Sequence, residues 1–562
     1  MNAWLQSLMP DLVIAPVLLP MASAALMLLL GDRRPAKRAL NALACVLNLM
    51  VVLALLWWVI HTGPQATAVY LPGNWPVPYG IVLVVDRLSA LMLVLTGVLS
   101  LCSMVYATAR WDRAGVHVHP LFQMQLLGLN GAFLTGDLFN LFVFFEIMLT
   151  ASYGLLLHGS GTARVKAGLH YIAVNLLASS LFLIGVAILY GITGTLNMAD
   201  MAIMVPAISP EDRGLLHAGA AILAVAFLVK AGAWPLNFWL APAYQSAAAP
   251  VAALFAIMTK LGVYAVLRLW TLLFAPEAGV SAQFGGTALV WTGLVTLSLG
   301  AVGVLATHHL GRMASACVVV SSGTVLAAIG FGRPDITAGA LYYAVGSTLA
   351  VSAFFLIIEM IERSRQADET PLYVSESEPD EAFAYPVDLL PPPDVNLDDD
   401  QRPLIGRAIP AAMAFLGLAF AVCAITLAGL PPLSGFVGKV IMLTGLLGAS
   451  QANGQVATPI WAMMALLIGG GLLAAIALSR AGVRYFWAPQ NRPSPALRVA
   501  EVLPVATLLM LIGAMVWQAD AVLRYTQITA RQLHQPSGYI GYVVSTTPKP
   551  SPKATGQGGL RR

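Results

Sequence analysis

Four ionisable side chains lie in the middle of long apolar stretches of this 562-residue sequence. They are Glu146 in "LFNLFVFFEIMLTASYG", Lys230 in "FLVKAGAWPLNFWLAPAY", Lys260 in "AIMTKLGVYAVLR" and Lys439 in "LPPLSGFVGKVIML". A charge at the centre of a bilayer costs on the order of 2.5–3.5 kcal/mol. Burial favours the neutral form of a lysine and a nearby carboxylate favours its charged form, so a change in their separation loads or unloads a proton. The four residues are therefore candidates for a buried proton path.

Helix-breaking residues accompany two of these lysines. They are Pro235 in "GAWPLNFW" and Pro431, Pro432 and Gly435 in "AGLPPLSGFVG". A proline removes an intrahelical hydrogen bond and clashes with the preceding turn. Unpaired backbone at membrane depth is tolerated only inside protein or beside a water-filled cavity, and interrupted helices next to buried charge are typical of transporter ion sites. The sequence therefore predicts two interrupted spans that border a hydrated ion path.

Other interpretations of these polar residues remain open. The buried charges could form structural ion pairs that fix helix packing, and Lys260 could extend its ammonium towards the membrane surface. His170, at the start of a predicted span, is a candidate relay residue, although a neutral imidazole satisfied by packing explains it as well. Asp86 and Asp137 lie at predicted helix starts, where a carboxylate suits the helix dipole, and we expect both to cap helices.

The composition requires that most of the chain faces lipid or other apolar helices. Hydrophobic residues make up 58% and charged residues 10%, against about 25% charged residues in a soluble domain. A spanning helix needs about 20 mostly apolar residues, and about 14 stretches qualify. They lie near 12–30, 40–60, 82–106, 119–135, 138–157, 169–190, 215–240, 248–274, 287–306, 313–331, 338–360, 408–447, 458–478 and 499–518. We predict an all-α polytopic membrane protein.

Lysine and arginine residues are concentrated in alternate short loops, beginning with "GDRRPAKR" and ending near Arg480 and Arg484. Positive loops face the cytoplasm, so this pattern predicts an even number of crossings in a bacterial inner membrane, with both termini outside. Residues 364–406 are acidic and proline-rich and are predicted to form a flexible cytoplasmic linker. Residues 545–562 are predicted to form a disordered basic tail.

Cysteine spacing and loop motifs give no sign of cofactor or catalytic chemistry. The cysteines all lie in apolar segments without paired spacing, at positions Cys45, Cys102, Cys317 and Cys423. They are predicted to be small buried hydrophobic residues, and no iron–sulfur, haem or zinc pattern is present. We expect no metal, no cofactor, no nucleic-acid partner and no enzymatic activity in this chain itself.

Four longer motifs resemble a known family. They are "GDLFNLFVFFE", "NLLASSLFLIGVAILYGITGTLNMAD", "WPLNFWLAPAY…ALFAIMTKLGVYAVLR" and "GLPPLSGFVGK". Together they resemble the antiporter-like subunits shared by Mrp-type multisubunit cation/proton antiporters and the membrane arm of respiratory complex I. The similarity runs from about the third to the thirteenth predicted span, and within the family it is greatest to the D subunits of the Mrp type.

The resemblance implies a fold and a set of roles. It implies two inverted repeats of five helices, with the seventh and twelfth helices broken. The family's glutamate falls on Glu146, its partner lysine on Lys230, its connecting lysine on Lys260 and its terminal titratable residue on Lys439. The implied domain division is 1–118 for the first three helices, 119–275 and 287–478 for the repeats, and 499–562 for the last helix and the tail.

The sequence departs from the family at two histidines. In the tenth and eleventh helices, where members often carry histidine, this chain has Ser321 and Gly346. We therefore expect water and hydroxyl groups to relay protons between Lys260 and Lys439. The candidate hydroxyls are those of Ser321, Ser322, Ser347 and Thr348.

The expected function is proton translocation by one subunit of an Na⁺ or K⁺/H⁺ antiporter that works with other subunits. One alternative is a proton-pumping subunit of complex I or of a membrane-bound hydrogenase, driven by redox chemistry in partner subunits. A second alternative is a structural scaffold whose buried charges serve packing alone.

Overall fold

The fold is almost entirely helical, as the long apolar stretches require. The structure is a computed structural model that describes residues 9–111, 117–159, 161–369, 410–452, 458–487 and 496–549. Residues 370–406, most of the predicted linker, lie outside the described residues, and the helix before them extends to Glu369.

The helices of the first half are separated by short loops. They are α1 (Ala15–Leu29), α2 (Arg34–Thr62), α3 (Arg87–Arg110), α4 (Val118–Leu134), α5 (Leu138–Leu156), α6 (Thr162–Thr193), α7 (Met198–Met204), α8 (Arg213–Ala231), α9 (Leu240–Ser246) and α10 (Ala249–Leu273). A short antiparallel hairpin of β1 (Ala68–Tyr70) and β2 (Leu83–Val85) lies between α2 and α3.

The second half is also helical. Its helices are α11 (Gly286–Ala306), α12 (Leu310–Gly330), α13 (Pro334–Glu369), α14 (Ala411–Ala428), α15 (Ser434–Ala452), α16 (Thr458–Gly482), α17 (Val499–Trp517), α18 (Ala519–His534) and α19 (Ser537–Val544).

Each predicted span falls on one helix or on an interrupted pair of helices, and the prediction of an all-α membrane fold is confirmed. Twelve of the described helices are long and apolar enough to cross a membrane. Helices α1 and α4 also fall on predicted spans but have 15 and 17 residues, fewer than the ~20 that a full crossing needs.

Helix α10 forms the centre of the molecule. Its apolar window is buried over its whole length, whereas only 39% of the corresponding window of α6 is buried. Helices α12 and α13 pack beside α10 and are almost as well covered. A lysine on α10 is therefore surrounded by protein rather than by lipid.

Asp86 and Asp137 cap helices, as predicted. The Asp86 carboxylate accepts a hydrogen bond from the backbone N–H of Ser89 at 2.9 Å, and Asp137 accepts one from Asn140 at 2.8 Å. These bonds satisfy N–H groups that have no partner within α3 and α5.

Asp86 has a second partner that the sequence did not reveal. Arg268, near the end of α10, binds its carboxylate through two hydrogen bonds of 2.5 and 2.7 Å. The guanidinium also lies 5.5 Å from the ring centroid of Tyr264 and 5.2 Å from that of Tyr539 on α19. The C-terminal helices α18 and α19, which the sequence analysis did not predict, thus close over this buried ion pair.

The first and last described segments of the chain contact each other. Lys549 pairs with Asp11 at 2.5 Å, and its backbone N–H donates to the Asn74 side chain at 2.7 Å. The predicted tail 545–562 is therefore held in place as far as residue 549, and residues 550–562 lie outside the described part of the chain. The even number of crossings and the orientation of the chain stay predictions.

Removing the Asp86 carboxylate should strongly destabilise the protein. Asp86→Ala leaves the Arg268 guanidinium buried without a counter-charge, which costs about 3–5 kcal/mol when one partner of a buried pair is lost. Thermal unfolding of the purified protein in detergent measures the effect. Asp520→Ala, which removes an exposed pair with Arg524, is the control and should leave the midpoint almost unchanged. Equal midpoints for both variants would contradict this account.

The same pair should make stability depend on pH. Burial alone would raise the pKa of the Asp86 carboxyl, but the Arg268 charge and the hydrogen bonds from Arg268 and Ser89 hold it below its ordinary value. This contribution is therefore present above the pKa of the unfolded chain and is lost as pH falls through the folded-state pKa. Unfolding midpoints measured down to acidic pH should converge for the wild type and Asp86→Ala.

Candidate functional site

Glu146 and Lys230 meet through a serine hydroxyl. Glu146 is half-buried on α5, and its Oε1 accepts a short hydrogen bond from Ser179 Oγ on α6. Lys230 Nζ, on α8, donates to the same hydroxyl at 3.4 Å and lies 5.0 Å from the ring centroid of Phe145. A hydroxyl both donates and accepts, so Ser179 connects the carboxylate to the ammonium.

Lys230 lies in the last turn of α8, in the interior of the protein. Its side chain is only 5% exposed, and the helix ends one residue later at Ala231. The carbonyl end of a helix carries a partial negative charge that favours a cation. The interruption of the helix therefore contributes to the stabilisation of this buried ammonium.

The first interruption begins at Gly232, before the predicted breaker Pro235. Gly232 adopts a left-handed conformation (φ +68°) that ends α8, and helical structure resumes at Leu240. The N–H of Trp234 donates to Thr296 Oγ1 on α11 at 3.0 Å. A residue from the second half of the chain thus satisfies backbone that the break exposes, and Pro235 lies inside the interruption rather than at its start.

Lys260 is the next buried charge along the chain. It is 4% exposed on α10, and its Nζ donates to Ser322 Oγ on α12 at 3.4 Å. Its ammonium is enclosed by protein, so extension to the membrane surface does not explain it. Gly262 allows α10 to approach α8, because a Cβ there would lie 2.6 Å from the backbone nitrogen of Ala231.

Two further predicted hydroxyls are joined to each other. Ser321 Oγ and Ser347 Oγ lie 2.7 Å apart across the contact between α12 and α13. Thr348, also predicted, donates instead to the carbonyl of Ala344 within its own helix at 2.6 Å. Ser321 therefore contacts Ser347 on α13, whereas Ser322 contacts Lys260 on α10.

Lys439 donates a hydrogen bond to the C-terminal end of α14, where the second interruption begins. Its Nζ donates to the carbonyl of Ala428, the last residue of α14, at 2.7 Å. Two glycines make room for the ammonium: a Cβ on Gly429 would lie 2.7 Å from Nζ, and one on Gly471 of α16 would lie 2.8 Å from it. Lys439 itself lies on α15, after the break, whereas Lys230 lies before its break.

The predicted residues of the second break have different positions. Pro431 and Pro432 lie between α14 and α15, inside the interruption. Gly435 instead belongs to the first turn of α15, where a Cβ would collide with the carbonyl of Thr426. Gly429, which was not predicted, ends α14 in a left-handed conformation (φ +72°).

His170 is not part of this arrangement. It is exposed on the surface of α6, and its Nδ1 lies 2.9 Å from the carbonyl of Lys166. Among the described residues, no hydrogen bond joins Lys230 to Lys260 or Ser347 to Lys439. The predicted path therefore consists of separate hydrogen-bonded groups, with intervals between them.

A cavity of about 480 Å³ opens at the end of the molecule where the positive loops lie. Arg164, Arg312 and Glu359 line it, together with Tyr244 on α9. The Tyr244 hydroxyl donates to the carbonyl of Phe255 on α10 at 2.8 Å. The cavity thus ends against the helix that carries Lys260.

Sequence reasoning missed Ser179, Thr296 and Gly471. Ser179 lies within the motif "NLLASSLFLIG", so a hydroxyl inside an apolar span was a usable signal. Nothing in the local sequence distinguishes Thr296 or Gly471, because their significance comes from contacts with residues that are far away in the chain.

Comparison with known proteins agrees with this architecture. A family described as "NADH:quinone oxidoreductase/Mrp antiporter, TM" matches residues 135–375. The fold is similar to a chain of the Mrp complex from Dietzia sp. DQ12-45-1b, with a TM-score of 0.77, 24% identity and coverage of 96% of this chain and 100% of that one. A chain of respiratory complex I from Thermus thermophilus gives a TM-score of 0.70 at 22% identity, covering 95% and 100% of the two chains.

The fold defines a polytopic membrane protein with the architecture of these Mrp and complex I chains. The sequence is 48% identical over 550 residues, 97% of this chain and 99% of the other, to the probable K(+)/H(+) antiporter D subunit of Rhizobium meliloti (strain 1021). It is 30% identical to the Na(+)/H(+) antiporter D subunit of Bacillus subtilis (strain 168), covering 95% of this chain and 100% of that one. The chain belongs to the family of D subunits of Mrp-type monovalent cation/proton antiporters.

Membership of this family settles the class and the setting of the chain. It is a multi-pass protein of the bacterial inner membrane and a component of a transporter rather than an enzyme. Other subunits of an antiporter complex are its partners.

Ser179→Ala should reduce antiport because it removes the hydroxyl between Glu146 and Lys230. A hydrogen bond to a charged group is worth about 1.5–3 kcal/mol, so we expect a loss of roughly tenfold or more in rate. Cation-dependent proton movement in everted vesicles that contain the whole complex measures this. The matched control is Ser180→Ala, because Ser180 is exposed and bonds only to its own helix. Equal rates in the two variants would show that the bridging hydroxyl is dispensable.

Proposed function

We propose that this subunit passes protons along Glu146, Lys230, Lys260 and Lys439 while the antiporter complex moves Na⁺ or K⁺ in the opposite direction. The observation that carries the proposal is the unit formed by Glu146, Ser179 and Lys230 beside an interrupted helix. This unit places an acid, a base and an exchangeable hydroxyl proton in contact inside the protein.

The first unit can act as a switch. While Glu146 and Lys230 are joined through Ser179, the carboxylate stabilises the charged form of the lysine. Separation of the two leaves an uncompensated ammonium in a low-dielectric surrounding, which favours release of its proton. A small movement of α5 or α6 relative to α8 is therefore enough to change the proton occupancy of Lys230.

Glu146 is suited to respond to a neighbouring subunit. Unlike the lysines it is only half-buried, and it lies on a helix that reaches the surface of the chain. A partner subunit that covers this surface would alter the surroundings of the carboxylate. The switch would then be controlled from outside the chain.

The later steps use hydroxyl groups and water. Ser322 contacts Lys260, and the neighbouring Ser321 is bonded to Ser347. Hydroxyl groups accept one proton while donating another, so they can replace imidazole in a relay when water fills the intervals. The cavity beside Tyr244 provides an entrance for cytoplasmic protons towards α10.

The end of the path is Lys439. The Ala428 carbonyl to which it bonds has no helical partner, because α14 ends at that residue. We infer that the ammonium form is stabilised there until water reaches the second break. The exchanged cation is Na⁺ or K⁺, and the relatives named above include one of each kind.

Neutralising the first unit tests the proposal against a purely structural role. Glu146→Gln and Lys230→Ala should each abolish cation-dependent proton movement, because the first removes the carboxylate that controls the proton occupancy of Lys230 and the second removes the titratable group itself. The assay uses everted vesicles with the whole operon expressed, and Na⁺ and K⁺ are tested separately. Glu211→Gln, on an exposed loop, is the control and should retain wild-type antiport. A Glu146→Gln complex that assembles normally and keeps full activity would favour the scaffold alternative.

Gly471→Ala tests the role of Lys439 without removing its charge. The new methyl group would lie 2.8 Å from Nζ and 2.7 Å from the Ala428 carbonyl, so the ammonium must leave its position. Overpacking of this kind costs about 1–3 kcal/mol, and we expect antiport to fall roughly tenfold. The control is Gly469→Ala on the same helix, where a Cβ meets no atom within 4 Å. Antiport at the Gly469→Ala level would argue against a defined position for Lys439.

A further inference from the structure

Buried amide side chains line the contact between α1, α2 and α4, three helices that carry none of the four path residues. One group joins α2 to α4: Gln123 Nε2 donates to Asn41 Oδ1 at 2.6 Å, and the Asn41 amide nitrogen lies 2.9 Å from His119 Nδ1. Gln123 Nε2 also lies 3.3 Å from Cys45 Sγ. Asn41 and Gln123 are at most 1% exposed, and His119 is 4% exposed.

A second group lies deeper along the same contact. Asn130 Nδ2 donates to Asn48 Oδ1 at 3.1 Å and to the carbonyl of Pro16 at 2.8 Å. That carbonyl is free because Pro20, inside α1, has no N–H to bond to it. Asn48 and Asn130 are fully buried.

The two groups lie on one face of α2 and on one face of α4. Asn41, Cys45 and Asn48 recur at helical spacing on α2, and His119 and Gln123 are one turn apart on α4. From His119 to Asn130 the rise of ~1.5 Å per residue gives ~16 Å, about half of the ~30 Å hydrocarbon thickness. We call these two faces together the amide column. It begins at the end of α2 that carries the positive "GDRRPAKR" loop.

Several polar atoms of the amide column have no protein partner. Asn48 Nδ2, Gln123 Oε1 and Asn130 Oδ1 are buried and make no hydrogen bond to any described residue. Leaving an amide group unpaired in an apolar surrounding costs about 1–3 kcal/mol by protein mutational data. Amides that served packing alone would be expected to pair fully with one another.

The unpaired atoms suit water better than a cation. One of the three atoms is a donor and two are acceptors. A bound cation would be coordinated by oxygen atoms only, whereas water donates and accepts and commonly makes about three bonds in buried sites. In the described part of the chain, the start of the column carries the buried Lys37 and its basic loop, and this positive charge disfavours a cation there.

We propose that the amide column holds a chain of bound water molecules that connects the positively charged end of the molecule with the middle of the membrane. It is a hydrated path on α1, α2 and α4, separate from the Glu146–Lys439 path. This inference does not depend on the proton path, because it rests only on the buried amides and their unpaired atoms.

Hydroxyl-radical footprinting of the intact complex tests the proposal, because radiolysis of bound water oxidises buried side chains that touch it. Cys45 lies within the column and is fully buried, and Cys102 on α3 is slightly more exposed but makes no hydrogen bond to any described residue. Both are free thiols, so mass spectrometry compares them directly. We expect Cys45 to be oxidised several times faster than Cys102. Oxidation of Cys45 no faster than Cys102 would overturn the proposal and indicate dry amide packing.

A double variant shows whether the column is the source of this water. Asn48→Leu with Asn130→Leu replaces two amides by apolar groups of similar volume. Oxidation of Cys45 should then fall to the rate of Cys102, while Cys102 stays at its wild-type rate in an assembled complex. Unchanged oxidation of Cys45 in the double variant would also overturn the proposal, since water would reach the thiol by another route.

Discussion

Two helices that end inside the membrane constrain the rest of this molecule. A helix end leaves backbone carbonyls and N–H groups unpaired, and hydrocarbon offers them no partner. The chain satisfies these groups from within: Lys439 bonds to the carbonyl of Ala428, and Thr296 accepts from the backbone of Trp234. The same helix ends carry partial negative charge, which makes a buried ammonium tolerable at each of them. Interruption and buried charge therefore depend on each other.

The surrounding structure keeps these ends shielded from lipid. Helix α10 lies at the centre, and Gly262 brings it against α8 next to Lys230. Near the C-terminal end of α10, Arg268 pairs with Asp86 beneath the C-terminal helices. The helix that carries Lys260 is thus held in its middle and near its C-terminal end, while Glu146 on α5 is half-buried. A well-packed central helix together with a partly exposed carboxylate suits a protein that acts within a larger complex.

The sequence was sufficient for the fold class, the span positions and the capping roles of Asp86 and Asp137, because each depends on local composition and spacing. It also identified the four buried charges, since a charge within an apolar run stands out. It missed Ser179 as a bridge and Arg268 as a partner, because such pairings join distant helices and leave no periodic signal. It placed the first break at Pro235, although Gly232 ends the helix, because a proline is the stronger local signal. The roles of the path residues stay predictions.

On the proposed path Lys260 lies between the lysines of the two interrupted helices, so substituting it tests the whole path in one step. The measurement records internal pH in liposomes that contain the purified complex after a Na⁺ or K⁺ gradient is imposed. Lys260→Leu keeps the volume and removes the only charge between Lys230 and Lys439 on the proposed path. We predict that proton flux coupled to either cation stops while the complex stays assembled. Wild-type proton flux in the Lys260→Leu complex would contradict it.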